Sequence, residues 1–203
     1  PGAPRFSDEL ADFVYAGQRT QRHLRDGVPF FVNEFWTARQ RQAHALHEIS
    51  YRACFKGQLP EFFIERLTAP GDRVYDPFMG RGTTPLQAAL MGRSAVGNDI
   101  NPLSTLLVRP RINPPSLAEI AARLNDIPTD TVMPIEHDLL AFYHPDTLRE
   151  ITALRAYLLE REAVGSLDRV DDWIRMVAIN RLTGHSSGFF SVYSLPPNQA
   201  VSV

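Results

Sequence analysis

The chain has 203 residues, 44% of them hydrophobic, which is enough for one domain with a full core. A net charge of −2 announces no global field for nucleic acid, and the lone Cys54 excludes a disulfide framework or a cysteine-built zinc site. No apolar run approaches membrane-spanning length and no signal-peptide pattern opens the chain, so a reducing, cytoplasmic location without membrane contact is the expectation.

Residues 1–35 read as an N-terminal arm or small helical unit. Arg19, Arg22 and Arg25 recur there at helical spacing, giving either a solvated face or one that meets a phosphate backbone. Residues 36–55 read as helical, with Trp36, Ala43, Leu46 and Ile49 apolar, and Gly57 and Pro60 interrupt them. His44 and His47 stand one turn apart, but no third ligand is evident and no metal is expected. Leu59 to Leu67 makes a second apolar helix, with Phe62, Phe63 and Leu67 as core candidates. Pro70-Gly71-Asp72 is a turn feeding a strand at 73–76.

That strand ends in Asp76 and runs into Pro77-Phe78-Met79-Gly80-Arg81-Gly82-Thr83-Thr84. Gly80 and Gly82 permit positive φ and a close approach of a ligand to the backbone. Thr83 or Thr84 is expected to cap a helix that has Pro85 in its first turn and stops at Gly92. A second short strand, 94–98, runs into Asp99. The two acidic tips lie 23 residues apart, one βαβ unit, and a carboxylate on the second tip suits the two hydroxyls of a ribose.

Beyond Asp99, Pro102–Val108 reads as a short helix, and Pro110, Pro114 and Pro115 mark a linker. Ser116 and Glu119 form a capping box for a helix to about Leu124. Pro128 and Pro134 bound a loop with a short strand. Helical spacing then runs from Asp146 through Leu158 and from Asp168 through Leu182, with Gly184 as terminator. The tail 184–194 joins small residues, His185 and three aromatics in a pattern that suits a flipped base or a single strand, or a plain surface loop. The resulting division is the arm at 1–35, a core at 36–145 and a helical insertion or subdomain with a loop at 146–203.

Asp76-Pro77-Phe78-Met79-Gly80-Arg81-Gly82-Thr83-Thr84 resembles the D-P-F-x-G-x-G-T-T motif of DNA amino-methyltransferases, which methylate adenine N6 or cytosine N4 with S-adenosylmethionine. Gly97-Asn98-Asp99-Ile100-Asn101-Pro102 resembles their G-x-D-x-N-P segment, and His47 to Lys56 followed by Leu59-Pro60 is similar to the stretch before the cofactor motif. The resemblance covers residues 36–110. It implies an α/β, Rossmann-like class I methyltransferase sheet with an added helical segment. It also implies S-adenosylmethionine as cofactor and DNA as substrate, with a target-recognition domain, second subunit or restriction partner.

In those terms Asp76, Pro77 and the Phe78–Gly82 turn hold the methionine end of the cofactor, with the N–H groups near Gly82, Thr83 and Thr84 on its carboxylate. Asp99 takes the ribose, Ile100 packs on the adenine, Phe55 closes over the methionine side, and Asp138 contacts the adenine amine or simply caps a helix. The family's second motif, Asp/Asn/Ser-Pro-Pro-aromatic, is missing. Ser194-Leu195-Pro196-Pro197-Asn198 has an extra leucine and lacks the aromatic. The expectation is a fragment, with that motif beyond Val203, and no residue is assigned to catalysis. An RNA methyltransferase and a non-catalytic subunit that binds cofactor or DNA stay open as alternatives. A dinucleotide oxidoreductase is disfavoured, because a third glycine at the dinucleotide spacing is absent.

Overall fold

The computed structural model describes residues 5–36, 44–49, 55–131 and 133–182. It is a mixed α/β chain of two compact units, which divide between Ser104 and Thr105.

In the first unit α1 (Phe6–Asp12) precedes two hairpins, β1 (Val14–Tyr15) with β2 (Gln18–Arg19) and β3 (Gln21–Arg25) with β4 (Val28–Val32). Both loops have two residues with positive φ, Ala16 and Gly17 at 48° and 80°, Asp26 and Gly27 at 49° and 78°. That is the type I′ geometry whose twist matches an antiparallel pair. Arg19, Arg22 and Arg25 therefore sit on strands, where the spacing suggested a helix. Asn33 fastens the hairpins by donating to the Phe13 and Gln18 carbonyls at 3.3 and 3.2 Å.

Phe13, Phe35 and Trp36 stack against Phe62 of α2 (Gln58–Leu67), and Arg66 lies 3.9 Å from the Phe62 ring centroid. Phe62 and Ile64 are buried, each such side chain worth about 2 kcal/mol of apolar transfer. Leu67, expected in the core, is exposed. Of the 36–55 stretch, residues 37–43 and 50–54 lie outside the described residues, Cys54 among them. Ala45–His47 is a single 3-10 turn capped by the His44 side chain.

The strand β5 (Arg73–Asp76), the helix α3 (Thr83–Leu90) and the strand β6 (Ser94–Gly97) follow as the sequence suggests. β5 and β6 pair in parallel, Val74 opposite Ala95 and Asp76 opposite Gly97. α3 packs on both strands, with Leu86 and Ala88 fully buried. Tyr75 and Val96, paired on the other face, are exposed.

α4 (Pro102–Ile112) runs longer than expected and takes Pro110 into its last turn. In the second unit Ser116 caps α5 (Leu117–Asp126) in the anticipated capping box with Glu119. No strand forms around Pro128 and Pro134 among the described residues. α6 (Pro145–Ala163) and α7 (Arg169–Arg181) supply the helical pair, α7 ending before Gly184. The tail from 183 onward, with its His185 and aromatic cluster and the Ser194-Leu195-Pro196-Pro197 segment, lies outside the described residues.

Ile127, Val170 and Ile174 form the core here, with Ile120, Leu154 and Tyr157 against it. An ionic lattice binds the three helices. Arg123 of α5 meets Asp168 at 2.7 Å and also Asp171. Arg161 of α6 meets the fully buried Asp171 at 2.8 Å. Breaking a buried pair leaves an uncompensated charge, so each guanidinium matters.

Burial pushes the Asp168 carboxyl up, but the Arg123 guanidinium and the N–H groups of Asp171 and Val170 hold it down at about 2. Its unfolded value is about 4. The stability it contributes is present above about pH 4 and is lost as pH falls toward about 2. Thermal melts followed by circular dichroism are expected to show that acid loss. An Arg123→Gln chain is expected to flatten it and to lose on the order of 2 kcal/mol near neutrality, since Arg161 still serves Asp171.

Candidate active site: two acidic strand tips and a glycine turn

The parallel pairing continues past the strands into the turn. Asn98 N–H donates to the Asp76 carbonyl at 2.9 Å and Met79 N–H donates to the Asn98 carbonyl at 3.0 Å. Gly80, at φ 50°, turns its N–H onto Asp99 Oδ2 at 2.8 Å. Asp99 Oδ1 accepts from Asn101 N–H at 2.9 Å. Those two N–H groups, Asn101 first and then Gly80, hold the Asp99 carboxyl below its ordinary value against the opposing effect of burial. The second tip is thus an anion with its remaining lone pairs available to hydroxyl donors.

Asp76 is shaped by its own turn, accepting from Phe78 N–H at 3.0 Å on Oδ1. Gly82 is the N-cap of α3, left-handed at φ 81°, and no side chain caps that end. Thr83 and Thr84 are therefore first-turn residues and not caps. Thr83 is buried and its hydroxyl accepts from Arg81 Nε at 3.2 Å. The free N–H groups of a helix start are a ready seat for a carboxylate. Pro77 and Phe78 are exposed, Phe78 at 86%, and Ile100 is fully exposed. Two large apolar side chains in water beside a polar crevice suit an apolar ligand surface.

Arg81, at the variable position between the glycines, is a residue the motif reading passed over. It donates from Nη1 to the Ile49 carbonyl at 3.0 Å and from Nη2 to the Phe55 carbonyl at 3.4 Å. The glycine turn is thereby tied to the chain on both sides of 50–54, and Phe55 is held beside it. Only the long-range contact reveals this role. His47 Nε2 pairs with Gln87 of α3 at 2.9 Å. Asp138 belongs to the second unit, exposed in the first turn of the 3-10 helix His137–Ala141, and it is not the cap. Among the described residues no three His, Cys, Asp or Glu side chains gather as a metal site. No helix among them is long and apolar enough to cross a membrane.

Residues 16–104, which hold both tips and the turn, match a family described as DNA methylase. The chain is 34% identical over 89 residues to the Type II methyltransferase M.MjaII of Methanocaldococcus jannaschii, covering 44% of this chain and 16% of that one. It is 30% identical over 91 residues to the Type II methyltransferase M.BsoBI of Geobacillus stearothermophilus, covering 44% and 18%. It is 31% identical over 90 residues to the orphan methyltransferase M.BamHII of Bacillus amyloliquefaciens, covering 42% and 34%. The chain thus spans a minor part of each relative's length. No solved structure matches it significantly.

Gly97 lies beneath this turn. A Cβ there would run into Met79 Sδ and would stand 3.3 Å from Met79 Cβ and Pro85 Cγ. Gly97→Val is expected to cost about 2 kcal/mol through overpacking, and Gly82→Ala about 1 kcal/mol through the left-handed φ. Denaturant titration reads both, and an unchanged midpoint for Gly97→Val would show that Met79 is not seated on β6.

Proposed function

We propose that the crevice between Asp76 and Asp99 binds S-adenosylmethionine, and that the chain serves methyl transfer to an exocyclic amine of adenine or cytosine in DNA. The observation that carries this reading is the anchoring onto Asp99, by the Gly80 N–H, of the glycine turn that follows Asp76, within the segment that matches DNA methylases. On this reading β5, α3 and β6 are the first βαβ unit of a Rossmann-like class I methyltransferase sheet.

The residues present fit the cofactor. Asp99 is an anion whose remaining lone pairs can accept from two hydroxyls, and Ile100 offers an uncovered apolar face for an adenine. Asp76 has one oxygen outside its own turn for an ammonium. The Gly80 and Gly82 backbone lets a ligand lie against the N–H groups of Thr83 and Thr84. Pro77, Phe78 and Phe55 wall the methionine side, and Arg81 keeps Phe55 there. Asp138 is assigned to the adenine amine by resemblance alone.

When bound, the cofactor supplies an electrophilic methyl group. The chain's part is to bind and orient it, and orientation is a large share of such a barrier. The target base must leave the stack to be reached. No described side chain is assigned to its amine. The helical pair α6 and α7 is proposed as a target-recognition element.

Titration calorimetry with S-adenosylmethionine, followed by labelled-methyl transfer to mixed duplex DNA, tests the reading. Binding with transfer is the expected outcome for an enzyme holding its acceptor elements. Binding without transfer marks a cofactor-binding part that works with another segment or subunit, and no binding to a folded chain overturns the proposal. Asp99→Ala is expected to weaken binding at least about tenfold, the worth of a charge-assisted pair of hydrogen bonds. A folded variant with unchanged affinity would remove Asp99 from the site.

A further inference from the structure

We propose that the β3–β4 ribbon is a duplex-DNA contact that grips the phosphate backbone through Arg22 and Arg25, together with Arg19 at the end of the neighbouring strand β2. This rests on the reading of the chain as a DNA methylase part but assigns a surface that the cofactor crevice does not include. Every residue from Gln21 to Phe30 is exposed. Between Phe13 and Asn33 there are three arginines and one acid, Asp26, inside a chain whose net charge is −2.

Six arginines of the helical unit are neutralised by carboxylates, and among the described residues the three of this region are not. Arg109, Arg123, Arg149, Arg161, Arg169 and Arg175 each meet a carboxylate. Arg19, Arg22 and Arg25 meet none among the described residues, and Arg25 rests only on the Phe30 ring, 5.6 Å from its centroid. A cation that the fold leaves unneutralised is what a phosphate partner needs, because each contact releases a condensed counterion.

The geometry favours a groove over a flat surface. Cross-strand register puts His23 and Arg25 on one face with Val28 and Phe30, and Arg22 and Leu24 on the other with Phe31 and Pro29. Guanidinium groups on both faces suit a ribbon set between two phosphate strands, and the major groove admits a two-stranded ribbon. Leu24, Val28 and Phe30 remain exposed for sugar and thymine-methyl contact.

A protein strand added to the β4 edge is the less suited occupant. With the two-residue loop, Arg25 and Val28 form the hydrogen-bonded pair next to the turn, so Leu24 and Pro29 form a non-hydrogen-bonded one. Pro29 therefore presents its missing N–H to the outer edge, which blunts strand addition there.

The test is fluorescence anisotropy of the whole chain with a labelled duplex across a salt series. Wild type is compared with the triple variants Arg19→Gln/Arg22→Gln/Arg25→Gln and Arg19→Lys/Arg22→Lys/Arg25→Lys, with folding followed by circular dichroism. The glutamine variant is expected to bind at least about tenfold more weakly at low salt. Its log Kd against log salt should lose about 2–3 units of slope, one per phosphate contact. The lysine variant is expected to keep most of that slope, and S-adenosylmethionine titration should be unchanged in both.

An unchanged slope in the folded glutamine variant overturns the proposal, as does wild-type chain that fails to bind duplex. Tighter, arginine-dependent binding of single-stranded RNA would overturn the duplex assignment. Should the glutamine variant not fold, a lysine variant that still loses the slope overturns the phosphate contact, and one that keeps it in a duplex-binding chain supports it. Ribbon-dependent duplex binding by a chain that does not bind S-adenosylmethionine would sink the cofactor reading and leave this one standing.

Discussion

The N–H of Gly80 reaches Asp99 Oδ2 at 2.8 Å, and the shape of the crevice depends on that contact. The turn after β5 could lie anywhere above the sheet. Anchored to the tip of β6, it fixes the height of Met79, whose side chain lies where a Cβ on Gly97 would stand. It also fixes Arg81, whose guanidinium reaches two carbonyls far along the chain. The carboxylate gains as well, because two N–H donors favour its ionised form. One backbone donor thus orders a loop, sets a charge and leaves the remaining lone pairs for a ligand.

Much of this was legible because it is local. Asp76, the two glycines and Asp99 announce strand, turn, helix and strand through φ requirements and spacing that no distant contact has to supply. The capping box of Ser116 and Glu119 is of the same kind, a four-residue event with its own chemistry. Leu67 misled because apolar character alone does not say which side of α2 meets the aromatic cluster. The expected threonine cap gave way to Gly82, since the left-handed backbone there brings the chain into the helix without a side-chain acceptor.

The hairpins were legible and were passed over. Asp26-Gly27 between Arg25 and Val28 is a strong short-range hairpin signal, and Val28, Phe30 and Val32 alternate with period two. Arginines three apart imitated a helix, although a strand of five residues accommodates the same spacing by placing them on opposite faces. Arg81 and the lattice of Arg123, Asp168, Asp171 and Arg161 could not be found in the same way. Their partners are set by packing between elements, and nothing in the local pattern distinguishes a paired arginine from a bare one. Asp138 is not the cap that its position suggested, since Glu136 precedes the 3-10 helix in that place.

The second unit's lattice is made of carboxylates and guanidinium groups, in a chain whose only lysine is Lys56. A guanidinium keeps its proton throughout the range in which proteins stay folded. The lattice therefore responds to protons from one side alone. Acid releases it by discharging the carboxylates, whereas alkali finds no ammonium in it to neutralise. A helical unit built this way has an asymmetric tolerance, wide toward base and bounded toward acid, set by the choice of arginine over lysine and not by the number of pairs.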